Sequence, residues 1–261
     1  TIIGKNVKIG PFCIIDCTDG PVKLGDNVSL GFRVLISGPC EIGGDTVITG
    51  AADIGHLGMD FKHQSKDGMT GVKIGERNII RENATIHQGM PASPAGTVIG
   101  NDCMIMVNTH ITHDCNLGSH IRIANAAHLA GHVIVEDYAI ISGMLGIQQF
   151  CRIGKYSMTG MQSKITTDIL PYSINDGVPS IYRGLNRIGL NRHGFSRESQ
   201  RSIRIVYDAY FGKKDDDFSA RSERLAAIKD KIQDPYALDA LDFVENRSKC
   251  GPLSIFRQRG K

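Results

Sequence analysis

IGNDCM IMVNTH ITHDCN LGSHIR IANAAH LAGHVI VEDYAI ISGMLG IQQFCR I, residues 99–153, carries an aliphatic residue at every sixth position. The series is Ile99, Ile105, Ile111, Leu117, Ile123, Leu129, Val135, Ile141, Ile147 and Ile153, ten in strict register. A period of six is neither the 3.6 of a helix nor the 2 of an alternating strand. At roughly one-third aliphatic usage, chance gives such a run with a probability on the order of one in ten thousand. The period suits a parallel β-helix with triangular coils. Three hexads make one coil, and each hexad supplies a short strand and a corner. The aliphatic side chain points into the prism and stacks on its equivalent in the next coil. The small residue that often follows is expected to occupy the tight corner, where a larger side chain would crowd.

The clock extends in both directions. Thr159 keeps the phase with a polar residue. Upstream, Leu24 to Ile54, Ile74 to Ile86, and Ile3 to Ile15 form further blocks. It breaks three times, by three residues between Ile15 and Leu24, fourteen between Ile54 and Ile74, and seven between Ile86 and Ile99. Solenoids expel insertions as loops, so HLGMDFKHQSKDGMTG (near 55–73) and QGMPASPAG (near 87–98) are candidate substrate loops. After Asp168 the clock stops. A turn-rich segment over 171–195 is expected to cap or leave the prism. From Ser196 the pattern is helical: Ser196 is an N-cap candidate, Glu198 sits in the first turn, and Ile203, Val206, Tyr207 and Tyr210 share a face. Asp217 is a candidate cap for a second helix with Phe218, Leu225 and Ile228. Pro235 opens a third through Leu238, Leu241 and Phe243. The expected organisation is a β-helix over 1–170, a linking segment, and a helical domain over 196–261 that covers the open end of the prism.

With 261 residues and 41% hydrophobic content a sizeable core is expected. A net charge of +3 does not point to nucleic acid. Seven cysteines without a CxxC pair argue against a zinc ribbon and fit a reducing, cytoplasmic setting. No apolar run approaches the ~20 residues of a membrane-spanning helix. The first residues, Thr1-Ile2-Ile3-Gly4, already belong to the repeat, and no signal peptide is read there.

VNTHITHDCNLG, residues 107–118, crowds His110, His113, Asp114 and Cys115 together. A zinc site, a general base and plain polarity all fit such a list. Strand alternation about Ile111 sends Thr109 inward and His110 outward. His113 falls in the corner after the strand, facing out. Eighteen residues make one coil, so His132 should stack on Asp114 at about one strand spacing (~4.8 Å). Cys115 has no partner spacing and drops out as a ligand.

The HxxHDC run with LAGH, the Gln149-Phe150 pair and GLNRHGFSRE in the tail resemble the UDP-N-acetylglucosamine 3-O-acyltransferases of lipid A biosynthesis. The likeness extends from KIGPFCII into the C-terminal helices. The resemblance implies a left-handed β-helix, mainly β with a C-terminal α-helical domain, assembled as a homotrimer with sites between prisms. It implies transfer of an (R)-3-hydroxyacyl group from acyl carrier protein to a UDP-sugar acceptor, without metal or redox cofactor. It makes His113 the general base, Asp114 its orienting partner and Gly131 the oxyanion donor. His110, His132, Gln148 and Gln149 become substrate contacts, Asp60 and Lys62 acceptor ligands, and Asn186 and Arg192 nucleotide or donor contacts. Six arginines (183, 187, 192, 197, 201 and 204) give the tail a basic surface suited to an acidic carrier protein.

Three departures stand out. Gln148 replaces a usual histidine. Met161 stands at the far end of the implied acyl channel, which favours a shorter chain. Ile188 and His193 replace a usual acidic and basic residue. An N-acyltransferase acting on a 3-amino UDP-sugar or another nucleotide amino sugar, a γ-carbonic-anhydrase-like zinc enzyme using His110, His113 and His132, and a non-catalytic scaffold are the competing readings.

Overall fold

Each hexad becomes one short strand and one corner. The computed structural model describes residues 1–60, 68–91, 93–212, 220–246 and 248–250. Its parallel strands form the three faces of a left-handed β-helix. The first face has eight strands, from Ile2–Ile3 to Arg152–Ile153. The second has ten, from Lys8–Ile9 through Met158–Thr159 to Ser173–Asp176, closed by the antiparallel Ile181–Leu185. The third has eight, from Ile14–Asp16 to Lys164–Ile165.

Register explains why the insertions are tolerated. Where the clock is unbroken, partners lie one coil apart: His110 faces His128 and Asn116 faces Ile134. Across the insertions, Ile42 still pairs with Ile74 and Ile74 with Ile99. The extra residues leave the inward stack in register, and the ladder shifts only at a bulge between Ile86 and His87. Isoleucines 36, 42, 48, 54, 80, 86, 99, 105 and 111 are essentially fully buried in one column system. Each contributes roughly 1.5–3 kcal/mol by leaving water.

The corner residue differs from expectation. The chain turns three positions beyond the aliphatic residue, not at the small residue that follows it. Among the described residues, twenty non-glycine residues hold φ between 48° and 66°, nearly all at these corners. This left-handed conformation costs roughly 1–2 kcal/mol per ordinary residue, and the ladders on either side hold it. The small residue serves coil-to-coil approach instead: a Cβ on Gly100 would run into the carbonyl oxygen of Gly118 one coil on.

The C-terminal segment covers the last coil. Helices α1 (Arg187–Arg192), α2 (Arg197–Phe211), α3 (Ala220–Lys229) and α4 (Pro235–Glu245) follow the antiparallel hairpin. Ser196 caps α2 by accepting from Ser199 N, and Ile203, Val206, Tyr207 and Tyr210 are its buried stripe. Asp234 caps α4, in which Leu241 and Phe243 are buried while Leu238 is 43% exposed, contrary to its expected inward place. Asp217 and Phe218 lie outside the described residues. Docking onto the prism is polar as well as apolar. Lys155 Nζ lies 2.6 Å from Asp239, Tyr172 donates to the same carboxylate, and Arg152 donates to the Phe243 carbonyl. No helix among the described residues is long and apolar enough to cross a membrane.

Candidate active site

Three columns of corner residues run along the prism. The first lies between the first and second faces and includes His120, Tyr138 and Tyr156. The second includes Asn108, Ala126, Met144 and Gln162. The third lies between the third and first faces and holds Asp114, His132 and Phe150. His113 immediately precedes Asp114, at the exit of the strand His110–Ile111.

The third corner gathers a His–Asp pair. His113 Nδ1 is 2.7 Å from Asp114 Oδ2. The second carboxylate oxygen accepts from Met90 N at 2.8 Å, and Ser93 donates as well. Asp114 N donates to Thr97 Oγ1 at 2.9 Å, which fixes the corner itself. Burial would raise the Asp114 carboxyl, but the hydrogen bonds from His113, Met90 N and Ser93 outweigh it and hold the group below its ordinary value. An ionised carboxylate only accepts, so Nδ1 carries the proton and Nε2 presents its lone pair. Nε2 is buried and has no hydrogen-bond partner among the described residues. Buried polar atoms are nearly always satisfied, so this one calls for an explanation.

His113 is not exposed as its corner position implied. It is 1% exposed. Both insertions fold back onto this corner, the longer with Gly58 against the His113 Cβ and the shorter with its 88–90 segment against Asp114. Gly131, one coil on, makes room for the ring: an added Cβ would strike His113 Cε1 and Nε2. The buried Gly131 N–H also has no acceptor among the described residues. Its counterparts at the first corner do have one: Asn101 N donates to Ser119 Oγ and Ser119 N to Asp137 Oδ1, each one coil on. Base nitrogen and free amide thus lie side by side, because the imidazole rests on the glycine.

His132 shares the corner position of Asp114, as the eighteen-residue coil requires. Its Nε2 is 3.6 Å from Asp114 Oδ2, and its ring meets that of His113 edge-on at 5.2 Å. Burial lowers its pKa, opposed by Asp114 and Asp60 and assisted by His113 and Lys249. Phe150 stacks under it at 4.6 Å, nearly parallel. Among the described residues, the cluster within mutual ligand distance is His113, Asp114 and His132. His110 does not join it, which corrects the three-histidine set. Its Nδ1 is instead 2.6 Å from Thr85 Oγ1 on the third face. There His110 meets His87 edge-on at 4.9 Å. Burial, then His110 and His56, push His87 down to about 4. Burial pushes the fully enclosed Cys115 thiol up to about 12, which leaves it inert.

The other expected residues fall in three places. Gln148 lines a groove of about 380 Å³ on the third face with His110, His128 and Lys164. Gln149 is exposed beside it, and Asp60 is near enough to His132 to act on its charge. Lys62 lies outside the described residues. Met161 is 60% exposed beside the second-corner residue Gln162. Asn186 and Arg192 line a cavity of about 220 Å³ at the first corner with Tyr138, Tyr156, His120 and His193. Asn186 itself is 5% exposed and committed to the fold: it caps α1 through Gly189 N and donates to the Tyr156 carbonyl. Arg187, Arg197, Arg201 and Arg204 surround a separate concavity of about 490 Å³.

Met90, Ser93 and Thr97 were not singled out from the sequence, and Phe150 was given no site role although it lies eighteen residues beyond His132. The others act through loop backbone or across coils with no spacing rule.

Comparison with known proteins agrees with this geometry. Residues 168–252 match the family model described as UDP N-acetylglucosamine O-acyltransferase, domain 2. An acyl-[acyl-carrier-protein]–UDP-N-acetylglucosamine O-acyltransferase of Rickettsia bellii is 39% identical over 99% of this chain and 90% of its own length. The solved structure of the Francisella novicida UDP-N-acetylglucosamine acyltransferase superposes with a TM-score of 0.88 at 35% identity, over 97% of this chain and 89% of that one. The Arabidopsis enzyme of the same description gives 0.83 at 31%, over 97% and 96%.

Proposed function

The chain belongs to the UDP-N-acetylglucosamine O-acyltransferase family, and from that premise we propose that it transfers an (R)-3-hydroxyacyl group from acyl carrier protein to the 3-position of UDP-N-acetylglucosamine, opening lipid A biosynthesis. The observation that carries this reading is the unpartnered Nε2 of His113, its Nδ1 tied to Asp114, beside the free N–H of Gly131.

His113 Nε2 removes the proton of the acceptor's 3-hydroxyl as that oxygen attacks the thioester carbonyl carbon. The carbonyl π pair moves onto oxygen, and the Gly131 N–H donates to the resulting oxyanion. Asp114 accepts from Nδ1 throughout, fixing the tautomer and stabilising the imidazolium. When the tetrahedral adduct collapses, the carbon–sulfur bond breaks, and the imidazolium proton goes to the departing thiolate. The 3-O-acyl sugar and free carrier thiol are the products. His132, Gln149, Asp60 and Lys62 serve the acceptor. The third-face groove beside His110 and Gln148 takes the acyl chain. A chain laid along that face from His113 ends at the second corner, where Met161 shortens the available length.

The site needs more than one copy of the chain. His113 stands on the third corner and Arg192 on the first, two different edges of one prism. A homotrimer brings the first corner of each prism beside the third corner of the next in a closed ring. The free thiols suit a reducing, cytoplasmic location.

The decisive assay incubates purified protein with UDP-N-acetylglucosamine or its 3-amino analogue and hydroxyacyl carrier proteins of graded length. O-acylation by the wild type and none by His113→Ala are expected. Undiminished product from His113→Ala would end the general-base mechanism. Co-expressed His113→Ala and Arg192→Ala chains should regain activity in mixed trimers. Mixed trimers without recovery would sink the shared-site reading.

A further inference from the structure

The third corner ends on a residue from the far C-terminus. Lys249 Nζ lies 4.7 Å from the centre of the Phe150 ring. Phe150 stacks on His132, and His132 reaches Asp114. Carboxylate, imidazole, phenyl ring and ammonium therefore stand in one column, although Asp114 and Lys249 are 135 positions apart. The segment is tied down. Ser248 Oγ donates to Asp168 Oδ1 at 2.6 Å, and Ser248 N donates to Oδ2 at 3.2 Å. Asp168 is 3% exposed and also accepts from Arg152 N, which anchors it on the last coil. Cys250 N donates to Ser248 Oγ, and the Cys250 thiol donates to the Gln149 carbonyl at 2.7 Å. Between these ties the Lys249 side chain is exposed. No carboxylate among the described residues is in ion-pair range of its ammonium.

A cation held over an aromatic ring, next to a reactive column and without an anionic partner among the described residues, is placed to receive an anion from outside the chain. We infer that Lys249 is a further substrate-binding residue of this site, holding a phosphate group at the outer end of the third corner. The inference rests on the acyl-transfer reading above. Under that reading both substrates carry phosphate: the acceptor a diphosphate, the donor the phosphodiester of its pantetheine arm. The ammonium contributes charge and no chemistry, so it acts on binding and leaves the reacting atoms alone. The Ser248–Asp168 tie is the positioning device that keeps it there.

Steady-state kinetics of the full chain, with each substrate varied in turn, tests this. Lys249→Gln should raise one KM by about three- to tenfold, the size of an exposed charge contact, with kcat within about twofold. Lys249→Arg should restore it. The KM that rises identifies the source of the phosphate. Ser248→Ala should raise the same KM by less. Unchanged KM values, or a fall in kcat that Arg fails to restore, would overturn the assignment. Calorimetric titration of wild type and Lys249→Gln with UDP-N-acetylglucosamine and with phosphopantetheine reads the same preference without turnover. An inactive wild type would therefore sink the catalytic reading while the comparison at Lys249 still stands or falls alone.

Discussion

The first and third corners of this prism share one backbone and differ in purpose. Both turn through left-handed residues eighteen positions apart. At the first, His120, Tyr138 and Tyr156 stack at 4.5 and 4.6 Å. There each polar side chain repeatedly serves the neighbouring coil: Glu76 N donates to Asn101, Asn101 N to Ser119, and Ser119 N to Asp137. At the third, Gly131 breaks that pattern. With no side chain it admits the His113 ring, and among the described residues neither His113 Nε2 nor the Gly131 N–H, which would need an acceptor from the coil that follows, has a partner. Satisfied polar groups at a corner hold the solenoid together. Unsatisfied ones, kept dry and side by side, are available to a reaction.

Breaking the third corner should cost most in rate. Asp114→Asn keeps the shape but removes the charge that fixes the His113 tautomer. A loss of roughly a hundredfold to ten-thousandfold in kcat is expected, against a small change in melting temperature. A kcat within a few-fold of wild type would mean the pair is structural. Gly131→Ala tests whether the glycine is there for the imidazole. Its methyl group collides with the ring, so about 1–3 kcal/mol of stability should be lost by overpacking, together with most activity. Retained activity and stability would show that the ring is free to move elsewhere.

A pH series distinguishes the third face from the first corner. Folded His87 titrates at about 4, below the ordinary value of 6.5, chiefly because it is buried. Between those values the unfolded chain binds the extra proton, so this contribution to stability is complete above about pH 6.5 and declines towards pH 4. Thermal melts from pH 7 to 4 should fall along that window, and His87→Gln should flatten the slope. An unchanged slope would assign the acid sensitivity to other groups. The smallest effect belongs to the first corner. Ser119→Ala removes the acceptor of Asn101 N and should cost about 0.5–1.5 kcal/mol with kcat unaltered. A lowered kcat there would erase the division between the two corners.

The residues explain how far the sequence could be read. A six-residue period has one economical solution, so Ile99 to Ile153 specified the inward stack, and the size of each insertion could be counted before its loop was seen. The eighteen-residue coil likewise placed His132 on Asp114. The turn position was misread because the visible signal, a small residue after each aliphatic one, reports the approach of the next coil. His113 was expected to be open to solvent because a corner residue of a bare prism faces out, and the loops that cover it obey no period.

The sequence by itself determined the prism, its register and the nearness of His113, Asp114 and His132, because each follows from fixed steps along one chain. Tertiary structure alone decided that Met90 and Thr97 clamp Asp114, that Gly131 cradles the imidazole, and that Lys249 arrives at the end of the column. Those contacts join segments whose separation is set by loops and by the C-terminal cap, and packing in three dimensions is what brings them together.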